Sequence, residues 1–156
     1  MPVEKIIADR LLKKAAELLE ASNDSRSALK ELCLLLKKSV PHYDWVGFYL
    51  VDTEKPDELV LGPFDGAPTE HTRIKFGRGI CGQAAATGKT FVVDDVTRES
   101  NYLACSLHVK SEIVLPIFTH GRLTGELDID SHTPAAFDDS DEVFLKIVCD
   151  MVSEII

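Results

Sequence analysis

The stretch Trp45-Val-Gly-Phe-Tyr-Leu-Val51 marks the place where the sequence changes from a helical to a strand-like pattern. It is rich in β-branched and aromatic residues, which favour a strand. Two later strands are joined near His120-Gly121, a pair typical of a tight hairpin turn. In addition to residues 45–51, the sequence predicts strands at residues 59–61, 72–76, 90–93, 113–118 and 123–129.

Helical patterns lie on both sides of these strands. The first helix is predicted from Val3 to Ala21, and a second follows the capping segment at residues 22–25. A short helix is predicted from Gly79 to Thr87, and a last one begins after Asp138. Its expected buried side chains are Val143, Phe144, Ile147, Val148, Met151 and Ile155. The sequence therefore predicts a single α+β domain over residues 1–156, with a central antiparallel sheet of about five to six strands and the terminal helices on one face.

Length and charge limit the functions that this chain can have. With 156 residues it can bury a core without disulfides or metal. A net charge of −9 argues against nucleic acid as the main partner, because phosphate binding needs a basic face. No run approaches the ~20 apolar residues of a membrane span, and no signal sequence is recognisable, so we expect a cytoplasmic protein without a membrane partner. Its four cysteines should then rest as thiols.

The four cysteines fall into two groups. Cys33 and Cys149 lie among apolar residues on predicted helices, so we expect both to be small core residues. Cys81 lies between glycines, and Cys105 lies in the polar, irregular segment from Asp94 to Lys110, which is predicted to be a loop. A loop cysteine can reach solvent and substrate as a nucleophilic thiolate. From placement alone, two incidental thiols remain the simpler interpretation.

Acidic residues are concentrated on two neighbouring predicted strands. Glu112 begins one strand, and Asp128 and Asp130 end the next. Because they are two positions apart, Asp128 and Asp130 should point to the same face of the sheet. If buried together they need a cationic ligand or a shared proton; the alternative is that they face solvent or cap the following turn. His132 raises the possibility of a metal, but one histidine with carboxylates at this spacing is weak support, and we expect no metal.

Read together, these segments resemble the free methionine-(R)-sulfoxide reductases, a branch of the GAF domain superfamily. The resemblance runs from about residue 44 to residue 137. Sensory GAF domains in general lack this set of cysteines and carboxylates. The matching segments are Trp45-Val-Gly-Phe-Tyr-Leu50, Leu61-Gly-Pro-Phe-Asp-Gly66, Thr72-Arg-Ile74, Gly77-Arg-Gly-Ile-Cys-Gly-Gln-Ala-Ala-Ala-Thr-Gly88, Ala104-Cys105, Ser111-Glu-Ile-Val-Leu-Pro116, Gly121-Arg-Leu123 and Leu127-Asp-Ile-Asp-Ser131.

The resemblance implies a role for each matching position. It implies that Cys105 is the catalytic cysteine and Cys81 its partner thiol. The residues that it implies for substrate binding are Trp45, Tyr49, Glu112, Asp128 and Asp130, of which Glu112 and Asp130 are also the candidate proton donors. Many family members carry a third cysteine where this chain has His71, and many carry an acid where it has Ser106. His71 could be a spare base, a pocket residue or a surface residue, and a surface position is the default expectation.

The chemistry expected of these residues is thiol-dependent reduction of a sulfoxide. The Cys105 thiolate would attack the sulfur and become a sulfenic acid, and Cys81 would condense with it to a disulfide. The resemblance implies a homodimer, and thioredoxin as the external reductant in place of a bound cofactor. The carboxylates favour a substrate with an α-ammonium group, which is the free amino acid. The alternatives are a GAF domain that senses a small molecule without catalysis, and a redox sensor in which the Cys81–Cys105 disulfide is the signal.

Overall fold

The computed structural model describes residues 3–99, 102 and 108–156. Cys105 and Ser106 therefore lie outside the described residues. The four α-helices within this part of the chain are α1 (Lys5–Ala21), α2 (Ser25–Ser39), α3 (Gly79–Thr87) and α4 (Asp139–Val152). The six strands within it are β1 (Trp45–Val51), β2 (Glu58–Asp65), β3 (Arg73–Lys75), β4 (Phe91–Val93), β5 (Ser111–Thr119) and β6 (Arg122–Ser131). A short 3₁₀ helix at Val96–Arg98 lies in the segment predicted as loop.

The strands form one sheet in the order β3-β2-β1-β6-β5-β4, and each neighbouring pair is antiparallel. The predicted α+β architecture with a central antiparallel sheet of about five to six strands is confirmed. His120 and Gly121 connect β5 to β6 with φ values of 51° and 78°, the left-handed backbone that a tight hairpin turn requires. β2 extends to Asp65, four residues beyond the predicted strand.

Helices α1, α2 and α4 cover one face of the sheet, as predicted for the terminal helices. Alternate residues of the central strands, such as Phe48, Ile113 and Ile129, form a core with the apolar faces of these helices. Cys33 and Cys149 are buried in that core. The capping prediction is confirmed for Asp138, which accepts hydrogen bonds from the backbone N–H groups of the first turn of α4.

The buried face of α4 differs from the predicted one. Val143 and Ile147 are 64% and 41% exposed. Phe144 and Val148 are buried as predicted, Met151 and Ile155 are partly buried, and the rest of the buried stripe is formed by Asp141, Leu145, Cys149 and Val152. Asp141 turns inward because it accepts hydrogen bonds from His42 and Tyr43, and this fixes the rotation of the helix. A buried polar anchor therefore overrides the apolar pattern by which the face was predicted.

The opposite face of the sheet holds a second, smaller core around α3. Trp45, Tyr49 and Val114 point to this face and pack with Ile80, Cys81 and neighbouring side chains. Among the described residues, no helix is both long enough and apolar enough to cross a membrane. The strands thus separate a mainly apolar core from a face on which acidic side chains meet a cysteine.

Candidate functional site

Strand β6 carries three consecutive inward-facing carboxyl groups. Glu126, Asp128 and Asp130 alternate with the apolar Leu127 and Ile129, so they share the face that α3 covers. All three are fully buried. Glu112 on β5 is directly opposite Asp130 in the antiparallel register, and is 4% exposed. The predicted same-face placement of Asp128 and Asp130 is confirmed, and the alternative that they face solvent is wrong.

Helix α3 positions the thiol of Cys81 over these carboxyl groups. The Cys81 Sγ donates a hydrogen bond to Asp128 Oδ2 at 3.3 Å. Close packing of the helix against its own entry loop is possible because residue 82 is glycine. A Cβ atom there would lie 2.7 Å from the Lys75 carbonyl oxygen and 3.1 Å from the Gly77 nitrogen. The glycine-rich segment therefore brings a cysteine against a carboxylate 47 positions away along the chain.

The environment of Cys81 keeps it protonated. Burial raises the pKa of its thiol well above the usual value of 9.0, and the charges of Asp128, Glu126 and Glu112 raise it further. A protonated thiol is a poor nucleophile. Cys81 in this arrangement is therefore suited to react after another group has been activated, and not to make the first attack.

Asp128 and Glu112 are hydrogen-bonded to each other. Burial raises the pKa of Asp128, while the hydrogen bonds from Glu112 and Cys81 oppose that rise. A hydrogen bond between two carboxyl groups requires a proton on one of them, so Asp128 and Glu112 share a proton. The carboxyl pair of Glu112 and Asp128 therefore holds a proton next to the Cys81 thiol.

Glu126 is a member of the cluster that the sequence analysis missed. Burial raises its pKa well above the usual 4.5, followed by the charge of Asp128, whereas contact with the Cys81 thiol lowers it. Within the described part of the chain, neither carboxyl oxygen of Glu126 has a well-formed hydrogen bond. Side chains two positions apart on a strand point to the same face, so counting back two positions from Asp128 would have placed Glu126 on this face.

Two aromatic side chains on β1 border the same face. Trp45 is opposite Asp130, and Tyr49 is opposite Glu126. The Trp45 indole donates to the Ala67 carbonyl at 2.9 Å and stacks on Phe64, with ring centroids 5.3 Å apart. The glycine between the two aromatic positions, Gly47, leaves room for the indole, because a Cβ there would lie 2.3 Å from the Trp45 ring.

A small cavity of about 10 Å³ lies at the centre of this arrangement. A space of that size holds about one water molecule or ion. Trp45 and Asp130 are not among the described residues that line it. The lining residues are Tyr49, His71, Ile74, Gly79, Ile80, Cys81, Glu112 and Asp128.

His71 lies at this cavity and is half-buried, so the default surface expectation is wrong. The loop that carries it is held to β1 by a hydrogen bond of 2.9 Å from the Tyr49 hydroxyl to the His71 carbonyl. His132, which suggested a metal from the sequence, instead lies beside Asp44, with 3.8 Å between Nδ1 and Oδ2. The loop contact explains both the position of His71 and why strand patterns did not reveal it.

Three side chains of the cluster are also close enough to share a cation. Cys81, Glu112 and Asp128 each offer one ligand atom, and these three atoms lie within 4.8 Å of one another. All three side chains are buried. The predicted attacking residue, Cys105, lies outside the described residues, so its distance from this cluster stays a prediction.

Comparison with known proteins gives relatives over most of the chain. The GAF domain family model matches residues 6–156. The chain is 44% identical over 137 residues to GAF domain-containing protein A of Dictyostelium discoideum, covering 88% of this chain and 84% of that protein. It is 38% identical over 120 residues to the free methionine-R-sulfoxide reductase of Escherichia coli, covering 77% and 70%. The free methionine-R-sulfoxide reductase of Neisseria meningitidis, solved with its substrate, superposes with a TM-score of 0.89 at 40% identity, covering 97% and 90%.

Proposed function

This chain belongs to the free methionine-R-sulfoxide reductase branch of the GAF domain family, and we propose that it reduces free L-methionine-(R)-sulfoxide to methionine with Cys105 as the nucleophile. The observation that carries the proposal is the buried cluster of Cys81, Glu112 and Asp128. This cluster brings a protonated thiol, a proton shared by two carboxyl groups, and negative charge together on one face of the sheet. The Escherichia coli and Neisseria meningitidis relatives, which are named for this activity, support it.

The first step is attack of the Cys105 thiolate on the sulfoxide sulfur. The sulfur–oxygen bond of the substrate breaks, the oxygen passes to Cys105, and one proton enters, so that the products are methionine and a Cys105 sulfenic acid. Glu112 is the proposed source of this proton, because it shares one with Asp128. Asp130, which is opposite Glu112 in the sheet register, is the second candidate proton donor.

The second step converts the sulfenic acid to a disulfide. The Cys81 sulfur attacks the Cys105 sulfur, a sulfur–sulfur bond forms and the sulfur–oxygen bond breaks, and the hydroxyl group leaves as water after it takes up the thiol proton relayed by Asp128. Asp128 accepts the thiol proton along the existing hydrogen bond of 3.3 Å. Because the pKa of Cys81 is raised, its thiol is activated only when this acceptor and the sulfenic acid are both in place.

Selectivity for the free amino acid follows from the buried negative charge. The α-ammonium group of free methionine sulfoxide can pair with Asp128 or a neighbouring carboxylate. A methionine sulfoxide within a protein has lost that charge and would leave the carboxylates unpaired, which is a strong basis for rejection. Tyr49, which lines the described cavity, and Trp45, which borders the same face of the sheet, are the proposed apolar wall for the methyl and methylene groups. Since the described cavity is only about 10 Å³, its walls separate when the substrate enters.

We also propose that thioredoxin reduces the disulfide and that the protein works in the cytoplasm. A cytoplasmic setting keeps Cys33, Cys81 and Cys149 as thiols, which is how the structure has them. No bound cofactor is needed, because the two electrons come from an external dithiol.

A homodimer through the terminal helices is a further part of the proposal. α1 and α4 pack on each other, and both expose large apolar side chains: Ile6 at 72%, Val143 at 64% and Ile147 at 41%. Exposed apolar groups on adjacent helices suit a second copy of the chain. Light scattering on the wild type and on Val143→Asp tests this, and a monomeric wild type would refute it.

The decisive test of the function is thioredoxin-coupled turnover of free L-methionine-(R)-sulfoxide, with the S epimer and a sulfoxide-containing peptide as comparison substrates. We expect turnover of the R epimer alone. Cys105→Ser should be inactive. Cys81→Ser should complete one round of methionine release but lose thioredoxin-linked cycling. Cys33→Ser is the matched control, because its thiol lies in the helical core and only donates to the Pro63 carbonyl.

Three results would contradict the proposal. Absence of turnover by the wild type would leave a GAF domain that binds a small molecule without catalysis. An active Cys105→Ser variant would assign the attack to another thiol. Full thioredoxin-linked cycling by Cys81→Ser would remove Cys81 from the second step.

A further inference from the structure

The cluster under α3 has the composition and spacing of a site for a thiophilic cation. We infer that Cys81, Glu112 and Asp128 bind one Zn²⁺ ion, and that this ion competes with methionine sulfoxide for the pocket. The cation binding stands on the geometry alone, whereas the competition rests on the proposed function.

The ligand atoms are close to the separations that zinc imposes. In a tetrahedral site with Zn–S of 2.3 Å and Zn–O of about 2.1 Å, a sulfur and an oxygen ligand lie about 3.6 Å apart. The Cys81 Sγ and Asp128 Oδ2 are 3.3 Å apart, and all three ligand atoms fall within 4.8 Å of one another. Side-chain rotation of Glu112 closes the remaining gap. One thiolate with two carboxylates suits Zn²⁺ better than Mg²⁺ or Ca²⁺, which take oxygen ligands.

The cavity has the size of an ion. Its volume of about 10 Å³ corresponds to about one water-sized sphere, and all three proposed ligands line it. A methionine sulfoxide molecule needs the walls to separate, whereas a dehydrated cation does not. The cavity as the structure describes it therefore fits a cation without rearrangement.

Unmet hydrogen-bonding capacity points to the same site independently. Asp128 is fully buried, and within the described residues its Oδ1 has no hydrogen-bond partner. A buried carboxylate oxygen without a donor is costly, and a divalent cation bound to Asp128 relieves that cost. On binding, the thiol proton of Cys81 and the proton shared by Glu112 and Asp128 pass to the solvent, and the thiolate and both carboxylates enter the coordination sphere.

Binding is measured with Cd²⁺, which reports thiolate coordination through an ultraviolet charge-transfer band, and with Zn²⁺ by equilibrium dialysis of the reduced protein. We expect one ion per chain. Cys81→Ser should lose the band and weaken Zn²⁺ binding at least about 100-fold, since even a second-shell change costs 10–100-fold. Glu112→Gln and Asp128→Asn should each weaken it at least about tenfold. Cys33→Ser and Cys105→Ser should keep the band. Absence of the band in the wild type, or its survival in Cys81→Ser, would overturn the site.

Competition is measured in a single turnover of pre-reduced protein without external thiol, because dithiols would bind the metal. Zn²⁺ should slow methionine release, and raising the sulfoxide concentration should restore it. Zn²⁺ that binds at Cys81 without slowing release would overturn the competition. If no sulfoxide is reduced with or without metal while the cadmium band depends on Cys81, the proposed function fails and the cation site stands.

Discussion

Replacement of Glu126 by glutamine should change how the stability of the protein depends on pH. Glu126 is fully buried, and its pKa is raised well above 4.5 by burial and by the charge of Asp128. Between pH 4.5 and the raised value, the folded protein holds a proton that the unfolded chain has released. The contribution of Glu126 to the free energy of unfolding is therefore greatest below this pH window, and it is lost as the pH rises through the window. Glutamine is neutral throughout and has nearly the same shape.

The size of this pH effect follows from the one proton that the folded protein binds and the unfolded chain does not. A single group that binds one proton more in the folded state contributes a slope of about −1.4 kcal/mol per pH unit to the free energy of unfolding. From about pH 5.5 to 7, wild type should therefore lose up to ~2 kcal/mol relative to Glu126→Gln. Asp128 contributes a slope of its own, but it is present in both proteins and largely cancels in the difference.

The assay is urea unfolding at a series of pH values, followed by the fluorescence of Trp45, the single tryptophan, and by circular dichroism. Glu17→Gln is the matched control, because it makes the same acid-to-amide replacement at an exposed position on α1. Parallel pH dependences of wild type and Glu126→Gln would refute the reasoning. They would mean that Glu126 is ionised in the folded protein and that its charge is compensated.

Three further replacements test how the fold supports the site. Gly82→Ala should lower the free energy of unfolding by about 1–3 kcal/mol in urea titrations, because its Cβ would lie 2.7 Å from the Lys75 carbonyl oxygen; an unchanged midpoint would contradict this. Gly47→Ala should displace the Trp45 ring, which its Cβ would approach to 2.3 Å, and should raise KM more than it lowers kcat. Asp141→Ala should cost about 3 kcal/mol or more and leave activity per folded molecule unchanged, because it removes a buried partner of two side chains far from the pocket. Loss of kcat in the folded variant would show that α4 acts on the site.

Short-range patterns were enough to predict the strands, the hairpin and the shared face of Asp128 and Asp130. Side-chain alternation has a period of two, so it needs no knowledge of the neighbouring elements. The rotation of α4 was not predictable in this way, since it depends on the contacts of Asp141 with His42 and Tyr43, about 100 residues earlier. The same holds for Cys81, whose contact with Asp128 spans 47 positions. Contacts between residues this far apart in the sequence come from the packing of whole helices and strands, and not from local propensity.

Buried carboxyl groups in this protein fall into two kinds, and the difference identifies the site. Asp141 is fully buried but satisfied: Oδ1 accepts from His42 at 2.8 Å and Tyr43 at 2.7 Å, and Oδ2 accepts from the Asp138 backbone at 3.0 Å. Glu126 and Oδ1 of Asp128 are equally buried, yet within the described residues they lack such donors. Burial of an acid is thus compatible with a purely structural role, whereas unmet hydrogen-bonding capacity costs stability and persists where a ligand supplies the missing partner. That cost is concentrated on the α3 side of the sheet, which is why we place substrate and cation there and not at the equally acidic start of α4.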